Sequence, residues 1–290
     1  MSEVKIVTES SALLPDDCLA EFDIRVASLG YVNNNKVYRD NLDITIEDFW
    51  KLFPNYKEIP TTSAASLGDF SSIFLKLATQ TNDIVCLTMS KLLSATYKTA
   101  QQAAQIVAEE KPGLNIKVID SQTGSAALGL IVIEAARAAQ KGQSLEKVLG
   151  VTYDMMSRAK YFMIMESLKY IMKVGRAPDA KDQAAKTQTA IPPISPIMGI
   201  VKTGAGVLEN LDRGSNIDEA LTKAVDMVAK YIDASQQVHF LLAHPDQPEK
   251  CRKVQESLAR KYKIAEIFVG RMTPSMIVAC GPAYFLGFYN

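Results

Sequence analysis

The side chains best suited to chemistry in this sequence are hydroxyls, and they cluster. Thr88, Ser90, Ser94 and Thr96 follow the short apolar run Ile84-Val85-Cys86-Leu87 and lead into an Ala- and Gln-rich stretch, Ala95 to about Glu110. Such a run makes a strand buried on both faces, and the stretch after it makes a helix. In open α/β sheets ligands bind at that junction, outside the strands' carboxyl ends and at a helix N-terminus. Ser94 has a plainer reading too, as an N-cap accepting a hydrogen bond from the first helical turn. The readings are compatible, because a cap hydroxyl at a strand end can also face a ligand. Three further hydroxyl loops occur: Thr8-Glu9-Ser10-Ser11, Pro60 to Ser66, and Asp120 to Ser125. Neutral hydroxyls orient a polar head group without locking it to a cation. The 11 Met and 10 Phe suit an adaptable apolar cavity, although core packing accounts for such residues equally well.

Much other chemistry is excluded. There is no G-x-S-x-G elbow, Walker loop, G-x-G-x-x-G or H-E-x-x-H. His239 lies in an apolar strand and His244 precedes Pro245, which suits structural roles. Gly204-Ala205-Gly206 reads as a hairpin tip rather than a phosphate loop. Cys18, Cys86, Cys251 and Cys280 are scattered, with no metal spacing. Lys+Arg and Asp+Glu number 32 each, so charge gives no reason to expect nucleic acid or an anionic membrane as partner. Hydrophobic content of 48% is ordinary for a globular chain, and no apolar run is long enough to span a bilayer. Lacking the basic start and apolar core of a signal peptide, the chain reads as a cytoplasmic protein without an integral membrane segment.

The elements that must position these loops follow in order. Strands at Val4–Val7, Ile24–Leu29, Asp83–Met89 and Ile116–Ile119 alternate with helices beginning at Pro15, Leu67 (to Thr79), Ala95 and Ala126. A hairpin spans Tyr31 to Tyr38, and Thr45 caps a helix carrying Phe49, Trp50 and Phe53. Strand, hydroxyl loop and helix in repetition predict a parallel sheet wrapped by helices, with several hydroxyl loops meeting at one edge. From about Ser144 the texture changes. A helix around Leu145–Met156, a strand at Tyr161–Met165 and a short helix at Ser167–Lys173 lead to a polar stretch from Ala177 to Pro193. After it come a hairpin about Lys202–Gly206, a long helix from Ile217 to about Ala234, and strand–helix–strand at Val238–Ala243, Glu249–Tyr262 and Ile264–Val269. The expected architecture is α/β: a parallel-sheet domain over 1–158 and an α+β domain with a mixed or antiparallel sheet over 159–290.

The order and spacing of the hydroxyl loops resemble the DegV family, bacterial fatty-acid-binding proteins that serve as lipid-carrying subunits of fatty acid kinase. Thr8-Glu9-Ser10-Ser11 is similar to the family's T-D-S element, with Glu for Asp. Thr62-Ser63-Ala64-Ala65-Ser66 is similar to T-S-Q-P-S, Ser94-Ala95-Thr96-Tyr97 to S-G-T-Y, and Val118-Ile119-Asp120-Ser121 to its hydrophobic-D-S turn. Leu168-Lys169-Tyr170 leading to Gly175-Arg176 resembles L-x-Y…G-G-R, with Val174 for the first Gly. The likeness covers essentially the whole chain. Two departures stand out: K-P becomes Ser195-Pro196, and the closing H-x-G-P-G becomes Ala279-Cys280-Gly281-Pro282-Ala283.

The resemblance implies a long-chain fatty acid as the bound ligand, with no other cofactor. Its carboxylate would be held by Thr62, Ser63 and Ser94, and its tail would thread between the domains. Ser10, Ser121, Ala279 and Gly281 are additional pocket positions by the same likeness. Arg176 is the candidate for coupling to the catalytic subunit of a fatty acid kinase, which would do the chemistry; no catalytic residue is assigned to this chain. The histidine that usually joins the head-group network has no counterpart, since Ala279 stands in its place. Burial at about 0.8 kcal/mol per methylene gives a long chain ~10 kcal/mol before ordering costs, so the tail supplies affinity and the hydroxyls orientation. Loss of one hydrogen bond to a charged group costs roughly 1.5–3 kcal/mol, which tail-driven binding survives more readily than phosphoryl transfer. Two other readings stay open: a lipid carrier or sensor without kinase coupling, and a stand-alone enzyme acting on a small phosphorylated ligand.

Overall fold

The computed structural model describes residues 3–173 and 194–290. Its N-terminal half is built on a four-stranded parallel sheet. The strands are β1 (Lys5–Glu9), β2 (Arg25–Ala27), β6 (Asp83–Thr88) and β7 (Asn115–Asp120), in the order β2-β1-β6-β7. Chain connections leave β1 toward β2 on one side and return to β6 on the other. The crevice between the carboxyl ends of β1 and β6 is therefore a topological switch point, where such sheets bind ligands.

A second, three-stranded sheet flanks it, ordered β4-β3-β5 from β3 (Gly30–Asn33), β4 (Lys36–Arg39) and β5 (Thr61–Ser63). The β3–β4 hairpin turns on Asn34 and Asn35, both at positive φ (48° and 60°), as a two-residue turn matching strand twist requires. β5 departs from expectation. The segment expected to be loop lies partly in a strand, with Thr62 opposite Tyr31. Its β-branched threonines suit that half-buried edge.

The remaining N-terminal helices are α1 (Asp16–Glu21), α2 (Ile46–Leu52), α3 (Leu67–Leu77), α4 (Thr96–Glu110), α5 (Ser125–Gln140) and α6 (Leu145–Arg158). The Asp48 amide donates to Thr45 Oγ1 at 3.1 Å, the expected cap of α2. Ser66 and Asp69 close a reciprocal capping box on α3.

The C-terminal half carries a six-stranded mixed sheet, ordered β10-β9-β8-β13-β11-β12. Its strands are β8 (Lys160–Met165), β9 (Ser195–Ile200), β10 (Glu209–Gly214), β11 (Gln237–His244), β12 (Lys263–Arg271) and β13 (Ala283–Tyr289). Only β11 and β12 pair in parallel. With it go α7 (Lys169–Lys173), α8 (Ile217–Met227), α9 (Pro248–Lys261) and α10 (Pro274–Cys280).

The long helix expected to reach Ala234 stops at Met227. Tyr262 explains this: its hydroxyl donates to Val225 O at 2.7 Å and accepts from Ala229 N at 3.2 Å. That group takes the place of the direct Ala229-to-Val225 rung, and the chain tightens into a short 3-10 turn over Val228–Lys230.

α5 joins the halves. All of its residues except Glu134, Arg137 and Gln140 are buried, and it packs against β1, β6, β8, β11 and β13. A helix apolar except for one narrow polar stripe belongs largely in a core, here between two sheets. Gly129 permits the close approach, since a Cβ there would lie 2.5 Å from Ala12 O. No helix among the described residues is long and apolar enough to cross a membrane.

Candidate functional site

The hydroxyl loops after β1, β6 and β7 meet at the sheet's carboxyl edge, and much of their hydrogen bonding sews them together. Thr8 Oγ1 donates to Leu87 O at 3.0 Å, and Thr88 Oγ1 to Ile119 O at 3.3 Å. Ser90 N donates to Thr123 O at 2.8 Å, while Ser90 Oγ reaches across to Gly206 O at 2.7 Å. Ser121 Oγ donates to Thr123 O and accepts from Thr123 N, both at 3.3 Å. These buried groups satisfy the loop backbones.

Ser94 lies at the entry to α4, where its hydroxyl accepts from Thr96 N at 3.2 Å and pairs with Thr96 Oγ1 at 2.8 Å. It is half-buried, so capping leaves the side chain accessible. Thr62 and Ser63 are also half-buried, on β5, which packs against α10. Ser63 Oγ donates to Ala64 O at 3.2 Å. Ala279 lies on α10, and Gly281 follows it at φ +73°, with a Cβ position only 2.4 Å from the Tyr170 ring. Arg176, with Gly175 and the polar stretch 177–193, falls outside the described residues.

Below this edge, between the halves, lies a small cavity of about 40 Å³. Met89, Leu93 and Ser125 line it from the N-terminal half, and Tyr161, Met163, Met276, Ala279 and Cys280 from the other. Leu93 immediately precedes Ser94, so the apolar cavity adjoins the hydroxyl edge. Among the described residues, those lining it carry no charged side chain. Burial pushes the Tyr161 phenol above its ordinary range, so it is neutral. Sites for small molecules run to roughly 300–1,000 Å³, so a long acyl chain enters only as the wall gives. Met89, Met163 and Met276 are the unbranched, polarizable side chains best able to do so.

A larger hollow, about 220 Å³, lies on the other flank of β1 and includes Ser10, Asp16, Arg271 and Thr273. Its charged rim suits water better than hydrocarbon; Arg271 pairs there with Glu47 at 2.8 Å and Asp246 at 2.9 Å. The smaller apolar cavity is the better candidate for an acyl chain. Ser10 belongs instead to a buried network, donating to Asp40 Oδ2 at 2.8 Å and accepting from Leu29 N at 3.0 Å. Burial raises the Asp40 carboxyl above its ordinary value despite donors from Ser275, Ser10 and Thr273.

Tyr161 and Asp40 were not singled out by sequence, and Ser125 was read only as the end of a hydroxyl loop. Ser125 adopts φ 48°, a left-handed conformation costing a non-glycine residue roughly 1–2 kcal/mol, at the first turn of α5. A serine and a tyrosine in apolar surroundings give no sequence signal that they face a common cavity.

The sequence matches the DegV family, described as a family of uncharacterised proteins, over residues 3–287. The chain belongs to the DegV family. A DegV domain-containing protein from Clostridium perfringens is 29% identical over 268 residues, 91% of this chain and 92% of that one. Among solved structures, a DegV family protein from Thermus thermophilus described as fatty acid binding superposes with TM-score 0.86 at 23% identity, covering 99% of both chains. A stearic acid-binding protein from Eubacterium ventriosum gives TM-score 0.83 at 24% identity, covering 99% of this chain and 98% of its own. At these identities the structural likeness establishes the fold, α/β with a parallel N-terminal and a mixed C-terminal sheet.

Proposed function

We propose that this DegV protein binds a long-chain fatty acid and presents its carboxylate to a separate fatty acid kinase. The observation that carries the reading is the uncharged, Met-lined cavity between the halves, adjoining an edge of neutral hydroxyls. The fatty-acid-binding relatives of this fold support it. In this reading residues 1–158 and 159–290 act as two domains that enclose the tail. Thr62, Ser63 and Ser94 hold the carboxylate, and affinity comes from the tail. Arg176 is proposed to engage the kinase; its motif in the sequence is the support for that role. No residue of this chain is assigned a catalytic step, and a cytoplasmic setting fits a soluble kinase partner.

Ala279 favours a second reading, a lipid carrier or sensor without kinase coupling, because a histidine of the head-group network is replaced by a methyl. Kinase-dependent acyl phosphate formation separates the two. With purified kinase, ATP and loaded protein, the first reading predicts acyl phosphate, lost in Arg176→Ala while lipid binding persists. Lipid binding with no acyl phosphate under any condition would leave the carrier reading.

A further inference from the structure

Two residues lining the cavity between the halves carry hydroxyls for which the described residues supply no partner. Ser125 and Tyr161 are each 2% exposed and both line the cavity. Among the described residues, neither hydroxyl has a hydrogen-bond partner. Buried polar groups are normally paired, because an unmade hydrogen bond in an apolar setting is costly. The rest of the wall is hydrocarbon and thioether, chiefly Met89, Leu93, Met163 and Met276, with the Cys280 thiol, which donates to Met276 O. This wall is complementary to a ligand that is mostly apolar but carries one hydrogen-bonding atom.

The charge of that atom follows from the lining. A carboxylate in this cavity would have no cationic side chain among the residues described, and burying an unpaired charge is far costlier than burying a neutral oxygen. Both hydroxyls are neutral and each can donate or accept, so a hydroxyl or keto oxygen can engage the pair.

We propose that the cavity selects acyl chains bearing a neutral oxygen substituent, a hydroxyl or keto group, part-way along the chain, recognised by Ser125 and Tyr161. The proposal rests on the fatty-acid reading above and adds a ligand class to it. An unsubstituted chain threading past leaves both hydroxyls unpaired, and a site that hydrogen-bonds a ligand oxygen discriminates against the analogue lacking it.

The test is calorimetric titration of the full, delipidated chain with octadecanoic acid and with a panel of positional isomers of hydroxyoctadecanoic acid. The expected result is one isomer binding ~10-fold or more tightly than octadecanoic acid. That preference should fall to ~2-fold in Ser125→Ala and Tyr161→Phe. Ser125→Gly, which suits the positive φ, replaces Ser125→Ala if thermal unfolding shows the latter misfolded. Octadecanoic acid binding with no isomer preferred, or a preference that survives both substitutions, overturns this inference alone. Failure to bind any of the acids overturns it together with the fatty-acid reading.

Discussion

Ser275 donates its backbone N–H to Asp40 Oδ1 at 2.9 Å across 235 residues of sequence. Its hydroxyl bonds the other carboxylate oxygen, which also accepts from Ser10. One buried carboxylate therefore ties the segments that follow β1 and the β3–β4 hairpin to α10, the helix bearing Ala279.

Asp40→Ala should strip partners from Ser10 and Ser275 at a cost of about 1–3 kcal/mol for each donor left unsatisfied, read by urea unfolding. The pH dependence has a definite sign. Burial raises the folded-state value above the ordinary 3.8, so folding binds the proton more tightly. The stabilising contribution is full below 3.8 and is lost as pH rises through the folded value. The stability of the parent relative to Asp40→Asn should fall over that rise; parallel pH profiles would contradict it.

Arg137 bridges Glu134 at 2.7 Å and Glu266 at 2.6 Å, linking α5 to β12. Hydrogen bonding to Arg137 lowers the Glu266 carboxyl below its ordinary 4.5. Its contribution is therefore present above 4.5 and lost as pH falls through the folded value. Glu266 is 37% exposed, so solvent screens the pair. Arg137→Ala should cost about 1 kcal/mol near neutral pH and flatten the acid limb of stability. An unchanged acid limb would show that this pair contributes nothing.

Ala279→His returns an imidazole to a position beside the hydroxyl edge. If Thr62, Ser63 and Ser94 hold a carboxylate there, the added donor should tighten fatty acid binding by ~10-fold or more, the equivalent of a charge-assisted hydrogen bond. Weaker binding with an intact fold would mean that α10 contributes wall and no head-group contact.

The fold was legible where one signal dominates. Ile84–Leu87 reads as a buried strand, and the apolar sequence of α5 reads as a helix, because periodicity and run length record burial directly. The early end of α8 was not legible, since it depends on the Tyr262 hydroxyl arriving from 33 residues beyond Ala229. For the site, the sequence located the hydroxyl loops but could not distinguish which hydroxyls bind their own backbone, as Thr8 and Thr88 do, from those left for a ligand. Pairing is a tertiary property. That Ser125 and Tyr161 line one cavity went unnoticed for the same reason, and Asp40 because a single Asp beside a hairpin gives no sign of burial.

The most direct measurement is native mass spectrometry of the protein as purified, with lipid extraction alongside. The expected result is a stoichiometric fatty acid that leaves on denaturation, its chain identified by extraction. A protein that carries no lipid and takes up none when fatty acid is added would contradict it, and the hydroxyl edge would then belong to a smaller, more polar ligand.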